Sequence, residues 1–200
     1  MSNKNNIQYE NIINVSSCLM SQKGYKGASL QEIANAVGIH KSTLFHYFKS
    51  KEEILLAVMK TSIDQVSFNL HKIMSNKSYS PKKKLIEAIR NHVDLLLKYR
   101  YNVNVFHNNL NYLSKKNKRK YTLARKNYAL CFEKLVDEVK EEKTGSFEGL
   151  NTQIVTFGIL GMCNWLIKWH RNTGEFTNDD ITSTFYQMIV KDKEQIRTDI

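Results

Sequence analysis

Lys41, Ser42, Thr43, His46 and Tyr47 set an ammonium group, two hydroxyls, an imidazole and a phenol within seven residues. All five can donate hydrogen bonds, and none is an acid that would make a general-base pair. On a helix over Lys41 to Phe48, Leu44 and Phe48 fall inward at i, i+4 and leave these five facing out. A short helix that exposes polar and basic groups, joined to another short helix through a glycine turn, is what reading the major groove of duplex DNA requires. Catalytic chemistry has no comparable set. Ser42 stands in no nucleophile elbow, and neither a Gly-rich phosphate loop nor an H-E-x-x-H pair occurs. His40 and His46 have no third ligand close in sequence, so no metal site and no cofactor are expected.

The elements that must position these groups can be read from caps and apolar spacing. Ile7 to Gln22 is predicted as a helix with Ile12, Val15, Ser16 and Leu19 on one face. Ser29 with Glu32 three residues on is a capping-box pattern, opening a helix over Leu30 to Val37 that buries Leu30, Ile33, Ala34 and Val37. Gly38-Ile39 then makes the tight turn. Ser50 with Glu53 repeats the capping pattern before Ile54, Leu55 and Val58. Ser80-Pro81 and Thr177 with Asp180 mark two later starts, and residues 76–80 are the best internal break.

One proline and eight glycines in 200 residues, with apolar repeats at i, i+3, i+4 and no strict alternation, predict an all-α chain of about nine helices. The expected layout is a three-helix head over residues 1–50, with a connecting helix from about 51, and a larger helical body over 51–200. The formal charge of +11 favours polyanionic partners, or serves solubility alone. Cys18, Cys131 and Cys163 are widely spaced and odd in number, which points to reduced thiols in a cytoplasmic protein. The opening MSNKNNIQYEN has no apolar signal core, and the apolar stretch from Ile154 to Ile167 is too short to span a membrane.

The runs Gly24-Tyr25-Lys26-Gly27-Ala28-Ser29-Leu30-Gln31-Glu32-Ile33-Ala34, Val37-Gly38-Ile39 and Thr43-Leu44-Phe45-His46-Tyr47-Phe48-Lys49-Ser50-Lys51-Glu52-Glu53-Ile54-Leu55 resemble the head of TetR-family repressors. The resemblance covers about fifty residues and implies roles position by position. Thr43 would reach base edges or a phosphate, and Lys41 and Ser42 would face the groove. His46 and Tyr47 would lie against backbone or bases. Lys51 would hold a phosphate, and Ser29 would cap its helix and touch another. Two positions depart from the family pattern: Phe45 stands where Tyr is usual, and His40 where a small capping residue is common.

For the body, the resemblance implies a homodimer on a palindromic operator and a small-molecule effector between the helices of residues 81 to 170. Ile154, Gly158, Gly161 and Trp169 share one broad face with Phe157 and Trp165. Ile181, Phe185 and Met188 continue the stripe in a helix over Asp179 to Val190, giving an expected dimer interface or, alternatively, intrachain core. Phe106, Tyr112, Tyr128, Phe132, Phe157 and Trp165 are the candidate pocket wall or, alternatively, plain core. Lys115, Lys116, Lys118, Arg119, Lys120, Arg125 and Lys126 crowd one helix start, as a solvated face or as the attractor of an anionic headgroup. The segments 165–169 and 174–177 are similar to fatty acyl-coenzyme A-responsive members, so an acyl-coenzyme A or another amphipathic anion is the candidate effector. The expected function is a sequence-specific transcriptional regulator, a repressor released by ligand, with activation as the alternative. A metabolic enzyme and a nucleoid protein without sequence preference are the competing classes. Random and cognate DNA discriminate the second of these.

Overall fold

The computed structural model describes residues 3–171 and 174–190, and within them the chain is helical. The helices are α1 (Asn3–Gly27), α2 (Leu30–Val37), α3 (Lys41–Tyr47), α4 (Lys51–Ser75), α5 (Pro81–Lys98), α6 (Arg100–Asn109), α7 (Lys115–Glu141), α8 (Thr152–Trp169) and α9 (Asn178–Ile189), with a 3-10 turn at Leu110–Tyr112. The count agrees with the expected nine. Residues 76–80 form the break between α4 and α5, and Ser80 Oγ caps α5 by accepting from the Lys83 N–H at 3.2 Å.

Two compact units divide the chain. One comprises residues 1–64 with 99–124, and the other 65–98 with 125–200. In the first, α1 packs on α2 and α6, and α2 on α3. Ile12, Ile13, Ser16, Ser17 and Met20 are the buried positions of α1, whereas Val15 and Leu19 are half-buried. The inward face is thus turned by about one residue from the stripe expected of Ile12, Val15, Ser16 and Leu19, because α6 as well as α2 covers it. Asn104 and Asn102 tie α6 down: one Nδ2 donates to Ser21 Oγ at 2.7 Å, and the other to the Val58 carbonyl at 2.8 Å.

The second unit is built on α5, which packs against both α8 and α9. Its buried residues Leu85, Ala88, Ile89, His92, Val93 and Leu96 recur at helical spacing. Arg90 Nε donates to Asp179 at 3.0 Å, and Asn178 Nδ2 to Asp94 at 2.7 Å, fixing the start of α9 to α5. Thr177 and Asp180 form the complete capping box expected of them.

Candidate nucleic-acid interface

The exposed face of α3 is set by what lies on either side of it. Ser29 Oγ accepts from the Glu32 N–H at 3.1 Å, which starts α2. The reciprocal half of that capping box is not made, because the Glu32 carboxylate turns to an ion pair with Lys23. The Lys23 hydrogen bond, above all, holds the Glu32 carboxyl below its ordinary range. At the other end Gly38 takes φ 76°, ψ 34°. Its N–H bonds the Asn35 carbonyl at 3.1 Å while the Ile39 N–H bonds the Ala34 carbonyl at 3.0 Å. This is the Schellman ending, and a side chain at 38 would strain it.

His40 occupies the cap of α3 with extended backbone and no side-chain hydrogen bond, so the helix starts at Lys41 as expected but uncapped. Leu44 and Phe48 are buried, and Phe48 stacks on Tyr9 with centroids 5.0 Å apart. That anchorage leaves Lys41, Ser42 and His46 exposed and Thr43 and Tyr47 half-buried on the outer side. Phe45, also exposed, adds an apolar group among them that the inward-stripe reading did not single out.

Lys51 opens α4, with Ser50 Oγ accepting from the Glu53 N–H at 3.2 Å. The Glu53 carboxylate returns not to Ser50, as a capping box would have it, but to the Lys49 N–H at 2.7 Å. The Lys51 ammonium does not project freely. It donates to the Lys26 carbonyl at 3.4 Å and lies 4.6 Å from the centroid of the Tyr25 ring. Burial lowers its pKa, opposed by the charge of Glu32. Tyr25 in turn stacks on Tyr112 at 5.0 Å, and its N–H donates to Asn109 Oδ1 at 3.0 Å. Next to Lys51, Glu52 accepts from the Ser114 N–H at 2.9 Å and from Asn117 Nδ2 at 2.6 Å, and these bonds lower its pKa.

The pocket residues expected from sequence do not form one group. Tyr128 and Phe132 are buried together, 5.4 Å apart edge to face. Phe106 is buried against Tyr121 in the other unit, and Tyr112 serves as the platform under Tyr25. Phe157 and Trp165 are exposed at 55% and 63%, on the α8 face that carries Ile154, Gly158, Gly161 and Trp169. On α9, Met188 is 70% exposed and Phe185 half-buried, whereas Ile181 is buried within its own chain, on a helix that packs against α5. A Cβ added at Gly158 or Gly161 would meet nothing within 4 Å.

Sequence reasoning missed the polar centre of the second unit. His92 is buried, its Nδ1 accepting from the Tyr128 hydroxyl at 2.9 Å while Nε2–H donates to Asn164 Oδ1 at 3.3 Å. It stacks on Tyr128 and meets the edge of Phe132. Burial pushes its pKa down to about 4, so the ring is neutral. Its place in the apolar repeat of α5 was the available signal, since a histidine there must find partners.

The sequence pattern of bacterial regulatory proteins of the tetR family matches residues 12–58, and that of the tetracyclin repressor-like C-terminal domain matches residues 78–192. The chain belongs to the TetR family of transcriptional regulators. It is similar to the fatty acid metabolism regulator protein of Bacillus subtilis (strain 168), 29% identical over 89 residues, 44% of this chain and 45% of that protein. The match thus spans about half the length of the curated relative. Among solved structures it resembles the TetR-family regulator PfmR of Thermus thermophilus, with TM-score 0.80, 24% identity and coverage of 89% and 96%. It also resembles AibR, solved with isovaleryl coenzyme A and operator DNA, with TM-score 0.79, 23% identity and coverage of 91% and 97%. Among the described residues no helix is long and apolar enough to cross a membrane.

Proposed function

We propose that the protein is a cytoplasmic, sequence-specific DNA-binding regulator, not an enzyme, in which α3 reads the major groove of a palindromic operator as a homodimer. The observation that carries this is the outer face of α3: Lys41, Ser42 and His46 exposed beside Thr43 and Tyr47, on a helix pinned by Leu44 and Phe48. Lys41 and Ser42 would meet base-edge acceptors, and Phe45 could meet a thymine methyl. Ser29 and Lys51 would hold phosphates. In this division of labour residues 1–50, with Lys51 at the start of the connecting helix, engage DNA, and the remainder of residues 51–200 bind effector and partner.

Dimerisation is assigned to α8 and α9. Ile154, Phe157, Trp165, Trp169 and Met188 expose a large apolar surface on one chain, and Gly158 and Gly161 allow a helix to approach closely. Two heads so coupled would engage half-sites about one DNA turn, roughly 34 Å, apart. The effector is assigned to the second unit around Tyr128 and Phe132, with an acyl-coenzyme A or another amphipathic anion as its class. That choice rests on likeness to the fatty acid regulator and to AibR. Binding would disfavour the DNA-competent spacing and so relieve repression, with a coupling of about 1–3 kcal/mol.

The test is enrichment of random duplexes by the full chain, followed by footprinting. A palindromic core protected on both halves is expected. Equal affinity for random and enriched DNA would instead mark a nucleoid protein without sequence preference.

A further inference from the structure

Residues 99–124 contain six Lys and Arg and no Asp or Glu, and they fold into the same compact unit as residues 1–64. Residues 1–64 alone hold seven basic against five acidic side chains, a formal charge of only +2. With 99–124 the unit reaches thirteen against five, so it carries +8 of the chain's +11. Most of that charge is concentrated. Lys115, Lys116, Lys118, Arg119 and Lys120 lie within the first six residues of α7. All five are exposed, and none forms an ion pair among the described residues.

Two contacts fix this cluster to the elements that start the candidate DNA face. The Glu52 carboxylate holds the Ser114 N–H and Asn117 Nδ2, and Glu52 is the immediate neighbour of Lys51. Tyr112 stacks on the Tyr25 ring over which the Lys51 ammonium sits. Six helical residues rise only about 9 Å, so the five cations begin beside the start of α4 and stay close to it. Five of the seven basic residues of the run, Lys115 to Lys120, therefore fold in one unit with residues 1–64, although they lie within the C-terminal domain match, and Arg125 and Lys126 fall in the other unit.

The arrangement is also unfavourable for α7 by itself. Its first turn contains no acid. Cations at a helix N-terminus oppose the macrodipole, and Lys115 with Arg119, or Lys116 with Lys120, are like charges at i, i+4. A polyanion laid alongside relieves both. Spread along one exposed stretch of helix, the five suit a backbone of repeated charges better than a single small anion.

We propose that Lys115, Lys116, Lys118, Arg119 and Lys120 form a second phosphate-binding surface, engaging the DNA backbone that flanks each half-site read by α3. The proposal rests on the DNA-binding reading and adds to it that these cations set affinity and salt dependence without setting base preference.

The test compares wild type with the variant Lys115→Gln, Lys116→Gln, Lys118→Gln, Arg119→Gln. Both are titrated with a duplex enriched by the wild type, with long flanks or trimmed to its core. Each lost phosphate contact makes the slope of log K against log[salt] less steep by about 0.9. The expected result is a slope less steep by about 2–4, at least roughly tenfold weaker binding near physiological salt, and an unchanged enriched core. Trimming the flanks should cost the wild type the same slope and the variant nothing. Removing like charges should leave the helical spectrum intact; if the fourfold variant fails to fold, Lys118→Gln, Arg119→Gln is read in the same way, with a slope change of about 1–2.

An unchanged slope with the same enriched core overturns this proposal and leaves the DNA-binding reading standing. Loss of thermal stabilisation by palmitoyl-coenzyme A with an unchanged DNA slope also overturns it, in favour of an effector headgroup. A wild type that enriches no sequence overturns both readings together.

Discussion

The Lys51 ammonium lies 4.6 Å from the centre of the Tyr25 ring and within hydrogen-bond reach of the Lys26 carbonyl. This side chain, the expected phosphate contact at the start of α4, is thus already partly desolvated and held before DNA arrives. Little side-chain freedom remains to be lost on binding, which favours its use as a fixed anchor. A backbone anchor carries no sequence information. Lys51→Ala is therefore expected to weaken binding to all duplexes alike and to lower the salt slope by about one. Titrations of cognate and random DNA at several salt concentrations measure both. An unaltered affinity would mean that α4 does not start against a phosphate.

Lys41 and Thr43 should behave differently, because they lie on the outer side of α3 rather than at its junction with α4. Lys41→Ala or Thr43→Ala is expected to cost roughly 1–3 kcal/mol on the operator and to relax preference at one base pair. Repeating the duplex enrichment with each variant reads this directly. Uniform loss across all sequences would reassign the residue to the backbone.

The local features of the head were legible because they close within five residues. Gly38 ends α2 and Ser29 starts it through hydrogen bonds to near neighbours, and Leu44 with Phe48 follows from one helical turn. Pairings across the chain were not legible. Nothing in the sequence joins Glu52 to Ser114, 62 residues away, or His92 to Asn164, 72 residues away. Periodicity reports that a face is apolar, and not what covers it. That is why Phe157 and Trp165 could be read as pocket wall when they stand on an exposed face, and why Ile13 and Met20 replaced Val15 and Leu19 as the deep positions of α1. Nor does periodicity show that the basic start of α7, within the C-terminal domain match, folds in one unit with residues 1–64.

The exposed face of α8 gives a prediction about assembly. Ile154 and Trp165 are 72% and 63% exposed in the single chain, so charged replacements should leave the fold of each chain intact. Ile154→Asp with Trp165→Asp is expected to convert a dimer to a monomer in sedimentation velocity, with an unchanged helical spectrum. DNA affinity should fall by roughly 10²–10⁴, the loss that follows when two linked heads become independent. A variant that sediments as the wild type does would remove α8 from the interface.

Effector class can be tested without knowing the regulated genes. A ligand that binds only the folded protein stabilises it by about 2.7 kcal/mol at one hundred times its Kd. Palmitoyl-coenzyme A and isovaleryl-coenzyme A, each at saturating concentration, are expected to raise Tm and to weaken operator binding, and coenzyme A alone to do neither. Absence of a shift with both thioesters would remove acyl-coenzyme A from the candidates.

His92 supplies a pH signature of the buried polar centre. Its folded-state pKa, about 4, lies below the ordinary histidine value of 6.5, because burial penalises the charged ring. Well above pH 6.5 the ring is neutral in both folded and unfolded chains, and it contributes no pH dependence. As pH falls from 6.5 towards 4 the unfolded chain takes up a proton that the folded chain does not, so stability declines through this window. Below about 4 both are protonated and the loss levels off, on the order of 3 kcal/mol in total. Glu32 and Glu52, whose folded pKa values are lowered, lose their contributions as pH falls through the ordinary carboxylate value of 4.5 towards their lower folded values, so most of the change between pH 6.5 and 5 falls to histidine. His92→Gln retains a donor and an acceptor for Asn164 and Tyr128 but cannot titrate. It is expected to be less stable at pH 7.5 and to show a smaller fall in denaturant midpoint between pH 6.5 and 5 than the wild type. Parallel curves for the two proteins would mean that the ring is not held neutral by its surroundings.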